Sequence, residues 1–407
     1  MRTRSFSCMA LSLELFFVFI AIEPSVAKGL WDCNDLYVKY TGRTEEKLRK
    51  AKAETKRRLL FPYDDGIYLL THLETGHSWI AGKFEAAPVK ELEAKAEEIG
   101  GESMGGGRFN IVVSHDLAGV AESQKRRLDM ALLQTQRRNN GAVFQLLTDT
   151  SCFPVESAEE EEELSITQRA MTSAAPGLIL RFFGVEGPID LTENIAQFRK
   201  CNKDSGQLSF ESLTVGELQR ASEMEWDDMS LGVHIDTEIV DAEPTSPRLG
   251  EAPPRQCVIQ VCTSMLDVKV NDASRFGSAP RRHLQNIGEK MALAAYKGTL
   301  CAAALWGEQK KEGRKLQQVF LTLPSDEPVR EELEWMARAL KASKDFIVAY
   351  GLDVTLVIPD SSVSRWLPAI IEDLQKLVTD TRGKYEVIGT SEPAGTRSPQ
   401  RGSRGTR

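Results

Sequence analysis

Gln256-Cys257-Val258-Ile259-Gln260-Val261-Cys262 opens the stretch of sequence on which the fold turns. Apolar residues fall on both faces of this short run, the pattern of a strand covered from both sides. Residues 283–306 follow, long and rich in Ala, Leu and Met, and read as a helix. Gln318-Val319-Phe320-Leu321-Thr322-Leu323 is a second strand, 329–350 a second helix, and Val354-Thr355-Leu356-Val357-Ile358 a third strand. Strands that alternate with helices require an α/β fold: a mixed, largely parallel central sheet with helices on both faces. Residues 370–380 add one more helix.

Toward the amino end the same logic continues. Gly66-Ile67-Tyr68-Leu69-Leu70-Thr71 and His77-Ser78-Trp79-Ile80-Ala81-Gly82-Lys83-Phe84 flank a Glu74-Thr75-Gly76 turn and predict a hairpin. Pro88 opens a helix reaching residue 98, 109–114 is strand-like, and Asn140-Gly141 precedes a strand over 142–147. Residues 168–175 fall within a helix, 211–231 read as helical, and Leu231-Gly232-Val233-His234-Ile235-Asp236 begins another strand. These elements make one α/β domain over 65–390. Insertions are expected near 153–166, around the acidic run 159–163, and near 241–255, around Pro244, Pro247, Pro253 and Pro254. The glycine-rich stretch 100–107 lacks the Lys-Ser/Thr that completes a phosphate loop and reads as a linker.

Outside that domain, residues 28–64 predict a charged spacer, with one helix over 44–60 that has acids at its start and bases at its end, stopped by Pro62. Residues 391–407 combine arginines with Gly, Ser, Thr and Pro and read as a disordered tail. At the amino end, Arg2 and Arg4 precede an apolar run containing Leu15-Phe16-Phe17-Val18-Phe19-Ile20, then Ser25-Val26-Ala27. This is the pattern of a secretory signal cleaved near residue 27, too short to remain as a membrane span. The secretory pathway is the expected compartment. Removing that segment takes Cys8 and leaves six cysteines, an even number that an oxidising compartment can pair, at spacings that define no disulfide framework. Neither these cysteines nor the five histidines form a metal-ligand spacing, and the sequence names no cofactor.

The 407 residues carry 51 Lys plus Arg against 59 Asp plus Glu, a net charge of -8. That balance opposes general attraction to a phosphate backbone, so no nucleic-acid partner is expected.

The order of several short segments resembles a macrodomain-like family, related in plan to poly(ADP-ribose) glycohydrolase folds. They are Gly82-Lys83-Phe84-Glu85, Asn140-Gly141-Ala142-Val143-Phe144-Gln145, Thr167-Gln168, Gly232-Val233-His234-Ile235-Asp236, Ala294-Ala295-Tyr296 with Thr299-Leu300, and Val319-Phe320-Leu321-Thr322-Leu323. The resemblance implies an ADP-ribose-like nucleotide ligand whose diphosphate and ribose meet the loop after the strand at 319–323. In such proteins that loop is rich in glycine, which lets the backbone approach oxygen. Here it is Pro324-Ser325-Asp326-Glu327-Pro328, with no glycine, two prolines and two acids. After Gln145 the chain has Asp149-Thr150-Ser151, Arg169-Ala170 stands where the family has Gly-Pro, and Arg181 is flanked by Leu180 and Phe182. The resemblance therefore implies a module with diverged ligand loops, weak nucleotide binding and little or no catalysis. The alternatives are an active ADP-ribosyl hydrolase and a non-catalytic interaction protein whose partner the sequence does not identify.

Candidate ligand contacts are Gln145, Gln168, Arg181 and, in the altered loop, Ser325. Candidate catalytic groups are Asp149, just past a strand end where α/β sheets bind ligands, and Asp236. Period-two alternation puts Asp236 on the face of His234, in a half-exposed strand. Cys262, beside Thr263 and Ser264, is a nucleophile type for which the sequence places no basic neighbour.

Overall fold

The computed structural model describes residues 33–99, 106–114, 121, 124, 126–152, 166–183, 189–201, 208–240, 255–271, 278–309, 316–325, 327–360 and 364–389. The expected signal segment, both insertions apart from their terminal residues, most of the glycine-rich linker and the tail lie outside the described residues.

Among the described residues, ten strands form one sheet. They are β1 (Leu60–Asp64), β2 (Ile67–Thr71), β3 (Ser78–Pro88), β4 (Arg108–Ser114), β5 (Val143–Leu147), β6 (Ser230–Glu238), β7 (Cys257–Thr263), β8 (Gln317–Leu321), β9 (Leu352–Ile358) and β10 (Tyr385–Ile388). Their order across the sheet is β1-β2-β3-β6-β7-β5-β8-β9-β4-β10. From β1 to β7 neighbours run antiparallel, and from β7 to β10 they run parallel. β7 is the seam between the two halves. The expected hairpin is β2–β3, with Leu70 opposite Trp79.

Helices cover both faces, as the alternation of elements requires. One face carries α4 (Val89–Glu98), α9 (Ser278–Gln309), α10 (Arg330–Ala342) and α12 (Leu367–Asp380) over Ile111, Val143, Val233, Ile259, Val261, Val319 and Leu356. The other carries α5 (Met130–Thr135), α6 (Ile166–Ser173) and α7 (Ala175–Phe183) over Phe144, Leu146, Cys262 and Phe320. Phe144 and Phe320 stack there at 4.8 Å between ring centres. Residues i and i+1 of the central strands thus enter different cores, which is why those strands read as unbroken apolar runs.

Three helices differ from the sequence expectation. The single helix expected over 44–60 is two, α2 (Glu45–Arg49) and α3 (Ala53–Leu59), and Leu60 already belongs to β1. Leu48, Leu59 and Leu60 are buried with Tyr37 and Tyr40 of α1 (Cys33–Thr41), so tertiary burial overrides the local helix preference. The helix expected over 329–350 is interrupted at Ser343, whose hydroxyl donates to Ala339 O at 2.8 Å before α11 (Lys344–Ala349) begins. The helix expected over 211–231 shortens to α8 (Val215–Ser222), started by Thr214 and Glu217 capping one another.

Among the described residues, no helix is long and apolar enough to cross a membrane, and no three His, Cys, Asp or Glu side chains converge as metal ligands do.

Candidate functional site

The parallel strands end at one common edge, the position at which open α/β sheets take ligands. β5 and β8 are parallel neighbours there, paired through Val143 with Val319 and Phe144 with Phe320, so the segments that carry Asp149 and Ser325 leave the sheet at the same edge. Asp149 shapes its own loop: Oδ1 accepts from Ser151 N–H and Oδ2 from the Ser151 hydroxyl, both at 2.8 Å. Ser325 is bound to a residue that the sequence reading passed over. Its hydroxyl donates to Glu332 Oε2 at 3.2 Å, and the same oxygen accepts from Val329 N–H at 3.1 Å, while Oε1 accepts from Val268 N–H at 3.0 Å. Glu332 is buried, which raises its carboxyl above the ordinary carboxylate range against the pull of those backbone donors.

Gln145 points to the core beneath α9. Its Nε2 donates to Ala295 O at 3.1 Å and its Oε1 accepts from Thr322 N–H at 3.3 Å, so both ends of the amide are engaged by main chain. Tyr296, one residue further along α9, donates to Thr322 O at 2.8 Å. Together they fix the exit of β8.

Arg181 lies on the opposite face of the sheet, on α7. Gly177 lets this helix close on β6: a Cβ there would fall 2.2 Å from Thr237 Oγ1 and 2.5 Å from His234 Cε1. The guanidinium is only 8% exposed and stands 5.1 Å over the ring of Phe84. Its Nε donates to His234 Nδ1 at 3.0 Å and its Nη2 to Gln260 Oε1, while Nη1 is buried without a hydrogen-bond partner among the described residues. His234 Nε2 in turn meets Ala81 O at 2.6 Å. Nδ1 must therefore accept and Nε2 must donate, which is the neutral imidazole. Burial, with the Arg181 charge beside it, holds the ring well below its ordinary value. Gln260 extends the chain to Gln134 Oε1 at 2.9 Å and Ala170 O at 3.2 Å. Gln168 is half-buried on α6, whose helix covers this same face.

Two irregularities in the sheet aim these groups. In β3 the register to β2 slips at Ala81, between the pairs Tyr68 with Gly82 and Leu69 with Ile80. In β6 the register to β7 slips between His234 and Thr237, and Asp236 there takes a φ of 55°. The second bulge breaks the alternation expected from sequence. His234 is fully buried and not on a half-exposed strand, and Asp236 does not share its surroundings, being only half-buried. Asp236 lies near the level of Ile259, whereas Asp149 lies beyond Thr263 at the other end of β7. By strand rise the two carboxylates are on the order of 15–20 Å apart along the sheet and do not face one another across a single bond.

The structure thus brings Asp149 and Ser325 to one edge, puts Arg181 and Gln168 on one face, and turns Gln145 to the other face. Sequence reading missed Gln260, His234 as the partner of Arg181, Glu332 and Cys152. Gln260 had a signal: a polar residue at the centre of a strand apolar on both faces is buried and must find partners.

A cleft of about 360 Å³ lies on the antiparallel side, lined by Lys83, Glu85, Pro88, Glu91, Lys95 and Trp306 among others, and none of the six candidate residues lines it. Lys83 pairs with Glu85 at 2.8 Å and Lys95 with Glu91 at 3.6 Å, so its charges cancel internally.

No family model and no curated protein matches the chain. Among solved structures it is similar to poly(ADP-ribose) glycohydrolase from Deinococcus radiodurans in complex with ADP-ribose, with a TM-score of 0.39 and 13% identity over 72% of this chain and 95% of that one. The apo form of the same glycohydrolase gives a TM-score of 0.36 and 14% identity over 72% and 93%.

Proposed function

We propose that the chain is a macrodomain-like binding module that takes an ADP-ribose-like nucleotide weakly at the carboxyl edge of its parallel strands, with little or no turnover. The placement of the segments that resemble the macrodomain-like pattern supports this reading. Residues 82–85 in β3, 232–236 in β6, 140–145 leading into β5 and 319–323 in and after β8 occupy the middle of one sheet, with 294–300 of α9 behind β5 and β8. Asp149 and Ser325 border the edge where such a ligand sits.

The observation that carries the reading is Glu332. A helix start following a strand is where an anionic group finds free N–H donors. At the start of α10 the chain's own carboxylate already accepts from Val329, Ser325 and Val268. A diphosphate approaching Pro324 to Pro328 meets a negative charge and few donors, so affinity comes from the nucleoside end. Calorimetric titration of the purified chain with ADP-ribose and AMP tests this. Saturable binding of both, with Kd values weaker than about 100 µM and within a few-fold of each other, is the expected result. ADP-ribose release from a poly(ADP-ribosyl)ated protein, abolished in Asp149→Asn, overturns it in favour of a hydrolase; a flat titration removes the nucleotide.

A second reading, a non-catalytic interaction protein, is favoured by β1. This edge strand shows Phe61 at 56% and Tyr63 at 67% exposure.

A further inference from the structure

Cys152 and Cys262 meet over a position that has no side chain. β6 and β7 pair Gly232 directly with Cys262, and Cys152 lies five residues past the end of β5. A Cβ added at Gly232 would fall 2.4 Å from Cys152 Sγ and 3.1 Å from Cys262 Cβ, so both cysteine side chains converge on the space above that glycine. Both are free and fully buried, and each thiol lies close enough to shift the ionisation of the other. Cys152 also holds a φ of 67°, in the left-handed region that costs a residue with a Cβ about 1 kcal/mol or more. The sequence separates these cysteines by more than a hundred positions, and nothing in their spacing pairs them.

We propose that Cys152 and Cys262 form a modification site, a dithiol that a hydroperoxide oxidises to a disulfide tying the loop after β5 to the end of β7. The Cys262 sulfur attacks the terminal peroxide oxygen, the O–O bond breaks, and an alcohol or water leaves with the Cys262 proton, giving a sulfenic acid. The Cys152 sulfur then attacks the Cys262 sulfur, the S–O bond breaks, and hydroxide leaves as water with the Cys152 proton. Two thiols lose two electrons in all, and one peroxide gains them. Because both sulfurs are buried, the peroxide reaches them through local opening at Cys152, the residue that holds the strained φ.

The surroundings divide the two roles. Burial opposes ionisation at both sulfurs and holds the Cys152 thiol well above its ordinary value. At Cys262 the neighbouring Cys152 sulfur and the Arg181 charge together outweigh burial, and the thiol lies below its ordinary value. Cys262 shares a face of β7 with Gln260, the acceptor of the Arg181 guanidinium, so the attacking role falls to Cys262 and the resolving role to Cys152. Cys301, on the other face of the sheet, has no such neighbour among the described residues and is pushed up to about 12, chiefly by burial.

The test is thiol mapping of the full chain. Reduced protein is exposed to hydrogen peroxide, remaining thiols are alkylated, and the digest is read by mass spectrometry. The expected result is a peptide pair linked through Cys152 and Cys262, reversed by dithiothreitol, with a melting temperature raised by about 5 °C in the oxidised protein. Gly232→Ala keeps both thiols but displaces the Cys152 sulfur, and slows linkage tenfold or more; Cys152→Ser abolishes it. Recovery of Cys152 and Cys262 as separately alkylated thiols while other cysteines oxidise overturns the proposal, as does a link from either to a third cysteine. Mapping of the unsubstituted chain decides the matter even if a variant fails to fold.

Discussion

Arg181 carries a full positive charge into a core where its described hydrogen bonds run to a histidine and a glutamine. A buried cation with neutral acceptors has given up much of its hydration, and the Phe84 face and the two acceptors offset only part of that cost. Its contribution is best seen through what its removal strands. In Arg181→Met the side-chain volume stays, but His234 Nδ1 and Gln260 Oε1 lose their donor, and urea denaturation should show a loss of about 2–4 kcal/mol. Glu332 presents the opposite case, an anion holding three donors. Glu332→Ala should lose about 2–4 kcal/mol by the same measurement. Its further signature is that inorganic phosphate raises the melting temperature of the variant and leaves the original chain unchanged, because the vacated donors accept an external anion.

At the scale of elements, close approach sets the terms. Alanine at Gly177 would improve the intrinsic helix preference of α7 by about 1 kcal/mol, but its Cβ would collide with Thr237 and His234. Overpacking of a rigid core costs about 1–3 kcal/mol, so Gly177→Ala should lower the melting temperature, and hydrogen exchange should show the loss concentrated in α7 and β6. The elements that sequence made legible are those whose pattern is intrinsic: β7, β8 and β9 as doubly covered strands, α9 by its length and composition, and the β2–β3 hairpin by its turn. β1 and β10 were not legible because an edge strand is covered on one face at most, and neither Phe61-Pro62-Tyr63 nor Tyr385-Glu386 carries the alternation that marks burial. The site was legible only as residue types. Asp149 and Ser325 fall at one edge through the pairing of β5 with β8, but the Arg181 to His234 contact depends on two bulges, and bulges leave no mark in a hydrophobic pattern.

For the molecule as a whole, the buried groups impose a pH dependence. His234 is neutral when folded and well below its ordinary value of 6.5. Below that pH the unfolded chain takes up a proton that the folded chain does not, so stability is full above 6.5 and declines as pH falls through it, by up to about 1.4 kcal/mol per unit. Glu332 acts in the other sense, because its raised folded value makes the folded chain hold a proton longer, and its contribution is lost as pH rises from its ordinary value through the raised one. Denaturant titrations between pH 7 and 5 should therefore show a slope that flattens in His234→Gln and steepens in Glu332→Gln.

The strand order also sets a schedule. β4 stands between β9 and β10, and both of its neighbours come from the last part of the chain. During synthesis Phe109-Asn110-Ile111-Val112-Val113 leaves the ribosome with no strand to pair with until residues 352–358 and then 385–388 have been made. An apolar segment of high β-propensity thus waits, unpaired, through most of translation, the condition under which strands add to those of other chains. Chains stopped at residue 351 should aggregate, and substituting Val112 by Lys, on the less crowded face, should suppress that aggregation in the truncated chain while weakening the finished sheet. A protein built in this way depends on residues 352–388 to quiet a strand it made long before.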